Sequence, residues 1–318
     1  MDQATNRLKH FPIMMFGIVM GLGGMGIAYT KAADWIGFPA IIGQVLSYLS
    51  IVAFLTISII YIVKFFRYKE AVKKEFNHPV RLNFFAAVSI SMLMIAIMFR
   101  ESNELISAIF WYPATLLHFY LTMHTVTFWI NNNQEIEHSN PAWFIPIVGN
   151  VLVPIAGVGF VKTEILIYFF SVGIFFWVII FALILNRIIF HKQMAIKFMP
   201  TLFILIAPPA VGFAAYFKMF GVVDTFALML FNLALFFTFL VAFMYKNFIK
   251  IKFFISWWAF VFPVAAVTLD AMLMHHIYKS YSMLLLSYAL IASLTAIISI
   301  VAYQTIVHMR KKEICIEE

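Results

Sequence analysis

Between residues 41 and 63 the chain carries no charged side chain, and stretches of that kind recur along its whole length. A helix needs about 20 apolar residues to cross the hydrocarbon core of a bilayer. Of the 318 residues 64% are apolar and 11% charged, with a mean hydropathy of +0.96. Soluble domains are about half apolar and a quarter charged. So large an excess cannot be hidden inside one globule, and much of it must face lipid. A soluble enzyme and a disordered chain are excluded on this ground. A β-barrel fails too, because its strands would alternate polar and apolar residues. The fold expected is all-α and polytopic.

Ten spans are expected, at residues 11–30, 41–63, 82–98, 105–129, 143–158, 165–189, 200–217, 222–244, 253–274 and 281–307. Together they make one ten-helix membrane domain over residues 1–318. The first run follows Arg7 and Lys9 and resembles a signal peptide, but it is too long for one, and more spans follow it. Connections from odd to even spans are short, so the chain groups into five helical hairpins. Of the 22 Lys and Arg residues, all but Lys31, Arg100, Lys162, Lys218 and Lys279 fall at the termini, in the even-to-odd connections or, for Arg187, at the adjoining end of the sixth span. That asymmetry predicts that both termini are cytoplasmic. It also accounts for the net charge of +8 without nucleic acid as a partner.

Helix breakers sort unevenly among the spans. Pro146 and Pro154 lie in the fifth, Pro208 and Pro209 in the seventh and Pro263 in the ninth, while the first holds Gly17, Gly21, Gly23, Gly24 and Gly26. A proline inside a helix frees a carbonyl and kinks the axis. At membrane depth such groups survive only where protein or water covers them. The odd spans are therefore expected to form an inner set around a pore, with the even spans outside. The third span has no internal proline or glycine, so the pattern is incomplete. The alternative reading is close helix packing, for which Gly17-x-x-x-Gly21 is suited. Candidate lining residues are Gly17, Pro146, Asn150, Pro154, Pro208 and Pro209.

Groups that could do chemistry are sparse. No zinc-protease, phosphate-loop or nucleophile-elbow motif occurs. The single Cys315 permits no internal disulfide. His118 and His124 are six residues apart, about 240° around a helix, and do not converge. His275 and His276 are adjacent and point apart on a helix. No metal, cofactor or catalytic residue is expected. Asp270 is the carboxylate well inside a span, towards its outer end, and is a candidate ionisable site. A structural, hydrated acid is the alternative there.

Five strings then add up: FPIMMFGIVMG at 11–21, NHPVRLNF at 77–84, WFIPIVGNVLVP at 143–154, PTLFILIAPPAVG at 200–212 and WWAFVFP at 257–263. In this order the sequence resembles the tellurite-resistance/dicarboxylate transporter family, most closely its bacterial TehA branch, to which plant guard-cell slow anion channels are related. The resemblance implies five hairpins with the odd helices lining a pore in each protomer of a homotrimer, in the bacterial inner membrane. It implies that Phe262 plugs that pore, with Pro263 as its hinge, and that small anions are the permeating species. A proton-coupled carrier of dicarboxylates or oxyanions such as tellurite is the alternative. Membrane lipid is the other expected partner.

Overall fold

The computed structural model describes residues 7–316, so residues 1–6 and 317–318 at the ends of the expected domain lie outside it. Nine helices are long and apolar enough to cross a membrane among the described residues: α1 Ile13–Ile36, α2 Ala40–Arg67, α3 Arg81–Phe99, α4 Glu104–Asn131, α6 Thr163–Phe190, α7 Ile196–Phe220, α8 Thr225–Phe243, α9 Ile255–Tyr278 and α10 Tyr281–Arg310. A shorter apolar helical segment, α5 Pro141–Gly157, lies between α4 and α6. No extended strand occurs among the described residues, only one isolated bridge, Val158 to Val161. The chain is a multi-span helical membrane protein.

The ends differ from the sequence expectation where hydrogen bonding, not hydropathy, decides them. Charge begins at Lys31, but α1 continues to Ile36 and stops at Gly37, which takes a left-handed φ of 79°. Asp224 accepts the Ala227 N–H at 3.0 Å as the N-cap of α8, so that helix starts later than its apolar run. The basic stretch between α2 and α3 also folds, into a surface helix over Lys69–Phe76.

Two kinds of span are present. Over their most apolar stretches α1, α3, α7 and α9 are 67–72% buried, whereas α2, α4, α6, α8 and α10 are 17–39% buried. In α5 every residue from Pro141 to Pro154 is buried. The exposed helices carry large apolar side chains outward, such as Phe66, Leu116, Phe175 and Phe239. Each buried span packs along the helix that follows it, and α1 also packs on both α3 and α9. Further contacts join α3 to α5, α5 to α7 and α7 to α9.

All five buried spans share a construction that proline and glycine counts do not reveal. Each begins with a tight 3-10 segment, at Ile13–Met15, Arg81–Phe85, Pro141–Phe144, Ile196–Ile206 and Ile255–Phe260, before continuing as α-helix. The third span does this without a breaker. The prolines sit mainly at the starts of the α segments: Pro146, Pro154 and Pro208 occupy the first two positions and Pro263 the third. A first-turn proline costs little, because its missing N–H has no partner within the α segment. Most of these prolines therefore mark the 3-10 to α junction and do not kink a continuous helix. In α5 a second 3-10 turn, Gly149–Leu152, also lengthens the segment. With 3-10 rise in part of it, α5 reaches roughly 30 Å, close to the hydrocarbon thickness despite its few residues.

Candidate functional site

Three cavities lie in series along the buried spans. The first, about 840 Å³, opens among Lys9, Lys74, Arg81, Lys197 and Lys252, with Lys64, Glu70, Glu75 and Glu313 also on its wall. This basic face gathers the even-to-odd connections and both described ends of the chain. Met14 and Ile255 border this cavity and also the next one. The middle cavity, about 70 Å³, is bordered by α1, α3, α5, α7 and α9 and by no other span. Its side-chain hydroxyls are Thr201 and Ser256, which donate to the carbonyls of Phe198 and Lys197, each at 2.6 Å. The third cavity, about 240 Å³, lies towards the opposite face and is bordered by Lys31, Arg100, Glu101, Lys218 and Asp270.

Leu152, Val211 and Phe262 border both the middle and the third cavity. Phe262 is the largest of the three, and it is only half-buried because open space flanks it. A glycine faces it: a Cβ at Gly24 would stand 3.3 Å from Phe262 Cδ2 and 3.1 Å from the Ala265 Cβ. Any larger residue at that position would crowd the ring. Trp258, one turn earlier on α9, is fixed by its Nε1 donating to Thr305 Oγ1 of α10 at 3.0 Å. Phe262 therefore has room that its neighbour lacks.

The buried spans all run in the same direction. Their N-terminal parts border the first and middle cavities and their C-terminal parts the third. Helix dipoles aligned in this way turn their positive ends to the basic face and their negative ends to the opposite one. Cations stand at those negative ends: Arg100 caps α3 and Lys218 lies in the last turn of α7.

The expected lining residues divide. Gly17 and Pro208 border the middle cavity, together with Phe262 and Pro263. Pro146, Asn150, Pro154 and Pro209 border none of the three. Asn150 instead donates from Nδ2 to Thr122 Oγ1 and to the Ile147 carbonyl, both at 2.9 Å, tying α5 to α4. Thr122 in turn donates to the Pro146 carbonyl at 2.8 Å. Phe84, Ala87 and Ile90 of α3 border the middle cavity although that span has no breaker. Asp270 is 1% exposed, and its Oδ2 has no hydrogen-bond partner. The histidines are separate: His118 Nδ1 meets Ser89 Oγ at 2.9 Å, His124 stacks on Phe76 and His276 stacks on Trp35.

The lead-in to α3 contains a pH-sensitive contact. His78 Nδ1 accepts the N–H groups of Val80 and Arg81 at 3.1 and 3.3 Å. Burial, then the charges of Arg81, His138 and Lys197, hold the His78 imidazole below its ordinary range. The folded value being depressed, its contribution to stability is complete above about pH 6.5 and is lost as pH falls towards the folded value. Lowering the pH from about 7.5 to about 5.5 should cost the parent protein more thermal stability than His78→Asn, whose carbonyl still caps without titrating. Equal losses in the two proteins would show that His78 is not the group responsible.

Residues 10–306 match the family described as SLAC1, voltage-dependent anion channel. The S-type anion channel SLAH2 of Arabidopsis thaliana is 30% identical over 279 residues, 84% of this chain and 53% of that protein. The guard cell S-type anion channel SLAC1 of the same plant is 25% identical, over 95% of this chain and 56% of its own length. The chain thus spans about half the length of these plant relatives. The tellurite resistance protein TehA homolog of Haemophilus influenzae is 24% identical, over 85% of this chain and 84% of its own. The resemblance carried by the five sequence strings is thereby shown.

Proposed function

We propose that this chain, which belongs to the voltage-dependent anion channel family, conducts small anions through a pathway formed by α1, α3, α5, α7 and α9 and closed by the ring of Phe262. The observation that carries the reading is that Phe262 borders the cavity on either side of it. Contacts running from α1 through α3, α5, α7 and α9 and back to α1 support a closed inner layer. In this reading α5 crosses as the tenth span, the five hairpins form one domain over residues 1–318, and the exposed helices meet lipid.

The chemistry of the wall explains how an anion could pass quickly. The middle cavity offers no charged side chain, and both of its hydroxyl hydrogens are committed to carbonyls. Nothing there binds an anion tightly, and weak binding favours rapid exit. The basic first cavity raises the local anion concentration, and the aligned dipoles add to the same field. A ring across a narrow apolar passage then blocks ions by excluding the water they need. Pro263, at the 3-10 to α junction, gives the Phe262 backbone a place to yield.

By the charge asymmetry the basic face is cytoplasmic, which places both termini there. The family resemblance adds a homotrimer in a bacterial inner membrane. The test is current across reconstituted bilayers with bath chloride replaced first by nitrate and then by gluconate. A reversal potential that follows nitrate and ignores gluconate is expected. A reversal potential set by the cation would contradict the reading.

Asp270 favours a second reading, a proton-coupled carrier of dicarboxylates or oxyanions such as tellurite. Asp270 borders the third cavity and its buried Oδ2 has no hydrogen-bond partner, and intramembrane acids serve proton relays. Saturable uptake of labelled dicarboxylate, abolished in Asp270→Asn, is the result that would favour the carrier.

A further inference from the structure

The mouth opposite the basic face already holds a carboxylate among converging cations. Lys31 Nζ lies 2.5 Å from Glu101 Oε2 and 3.2 Å from Asp34 Oδ2. The hydrogen bond from Lys31, with the charges of Lys31, Lys218 and Arg100, holds the Glu101 carboxyl below the usual carboxylate range. These three cations belong to different buried spans, α1, α7 and the end of α3, yet all border one cavity.

We propose that Glu101 is a tethered competitor: its carboxylate occupies an anion-binding position made by Lys31, Arg100 and Lys218, and small carboxylates or planar oxyanions take that position when it leaves. Three features support an exchangeable site over a fixed ion pair. Glu101 is 62% exposed at its side chain, so it can swing into solvent without a burial penalty. Lys218 makes no direct hydrogen bond or ion pair among the described residues and is exposed, so one cation of the three is uncommitted. Arg100 is held in place by groups other than Glu101. Its Nη2 donates to the Val158 carbonyl at 2.6 Å, its Nη1 meets Glu104 at 3.2 Å, and its guanidinium lies 4.4 Å over the Phe160 ring. The cations would stay in position if Glu101 moved.

Asp270 is the second observation that points to a ligand space. It is buried on the wall of the same cavity, with an oxygen that no protein group satisfies. With Lys31, Arg100, Glu101, Lys218 and Asp270 on its wall, a cavity of about 240 Å³ has the polar partners and the room for several water molecules. An arriving anion therefore meets a wet pocket and keeps part of its hydration. The ligand class follows from the present occupant, because a group that replaces a carboxylate must be flat and singly charged, with two oxygens for two donors. Formate and nitrate fit that description.

This inference deepens the anion-pathway reading and rests on it for its effect on flux, whereas binding is measured separately. Sodium formate and sodium nitrate are titrated calorimetrically into the purified full chain. Glu101→Gln keeps the shape of the side chain and removes its charge, and it should tighten both affinities roughly tenfold, as expected when a competing charge is withdrawn. Adding Lys31→Gln, or Lys218→Gln, should remove most of that gain. Unchanged affinity in Glu101→Gln would overturn the proposal, as would a gain that survives the loss of Lys31. Currents are recorded in parallel in a Phe262→Ala background. Tighter binding with no anion current would support the mouth site and refute the channel, whereas anion current with unchanged binding would refute the site alone.

Discussion

Phe262→Ala should convert a nearly silent protein into one that carries a sustained anion current, at least about tenfold above the parent. A tenfold change corresponds to ~1.4 kcal/mol of barrier, modest for removing a ring from a passage too narrow for a hydrated ion. The effect should be graded by size, with Phe262→Leu intermediate and Phe262→Trp as closed as the parent. Stability should change less than for a typical core phenylalanine. Full burial makes such a truncation cost about 3–5 kcal/mol, but Phe262 already has open space on both sides. The current and an apparent melting temperature, taken on the same preparations, check both expectations. An unchanged current in a well-folded Phe262→Ala would remove the plug from the account.

The second large effect is expected at the basic face. Lys64 and Glu75 are 3% and 4% exposed and meet at 2.7 Å. Glu75 Oε2 also accepts from Tyr61 OH at 2.9 Å, and its Oε1 accepts the Ile13 N–H at 2.9 Å. Lys64 donates in addition to the Phe11 carbonyl at 2.8 Å. This network ties the surface helix Lys69–Phe76 to α2 and to the start of α1, next to Met14 of the cavity wall. Removing one partner strands a buried charge and should cost about 3–5 kcal/mol. Glu75→Ala should therefore lower the melting temperature sharply. The double variant Glu75→Leu with Lys64→Met should recover most of the loss, because no charge is then left unpaired. If the double variant is as unstable as the single one, packing and not charge pairing explains the site.

The nine long spans are legible in the sequence because a hydrocarbon surround and a packed protein interior both exclude charge and so leave uncharged runs, and the tenth segment is legible from the same signal despite its length. Burial alternates along the chain as the odd-even division expects, but the compositional sign of it is indirect. Proline and glycine pointed to α1, α5, α7 and α9 and missed α3, whose 3-10 lead-in at Arg81–Phe85 has no compositional mark. Local hydrogen bonding, including the cap from His78, sets that turn. Asn150 lies between Pro146 and Pro154 on a buried span, yet its side chain turns to Thr122. Which side of a short, mixed 3-10 and α segment faces inward depends on local twist, and a fixed helical period does not give it. The Glu75–Lys64 pair leaves no mark in the sequence, because its two members lie on different helices. The setting of Glu101 is hidden for the same reason, since Lys31 and Lys218 come from elements far from it in the chain.

A single anion pathway interrupted at Phe262 is tested by side-chain accessibility. In a Cys315→Ser background, cysteines are introduced at Ala266, which borders the third cavity, and at Ala259, which borders the middle one. A negatively charged methanethiosulfonate reagent is applied from the side opposite the basic face. In the parent protein it should modify Ala266→Cys and leave Ala259→Cys intact. With Phe262→Ala added, both positions should react, and a positively charged reagent should reach Ala259→Cys far more slowly. Equal modification of Ala259→Cys with and without the ring would contradict the account.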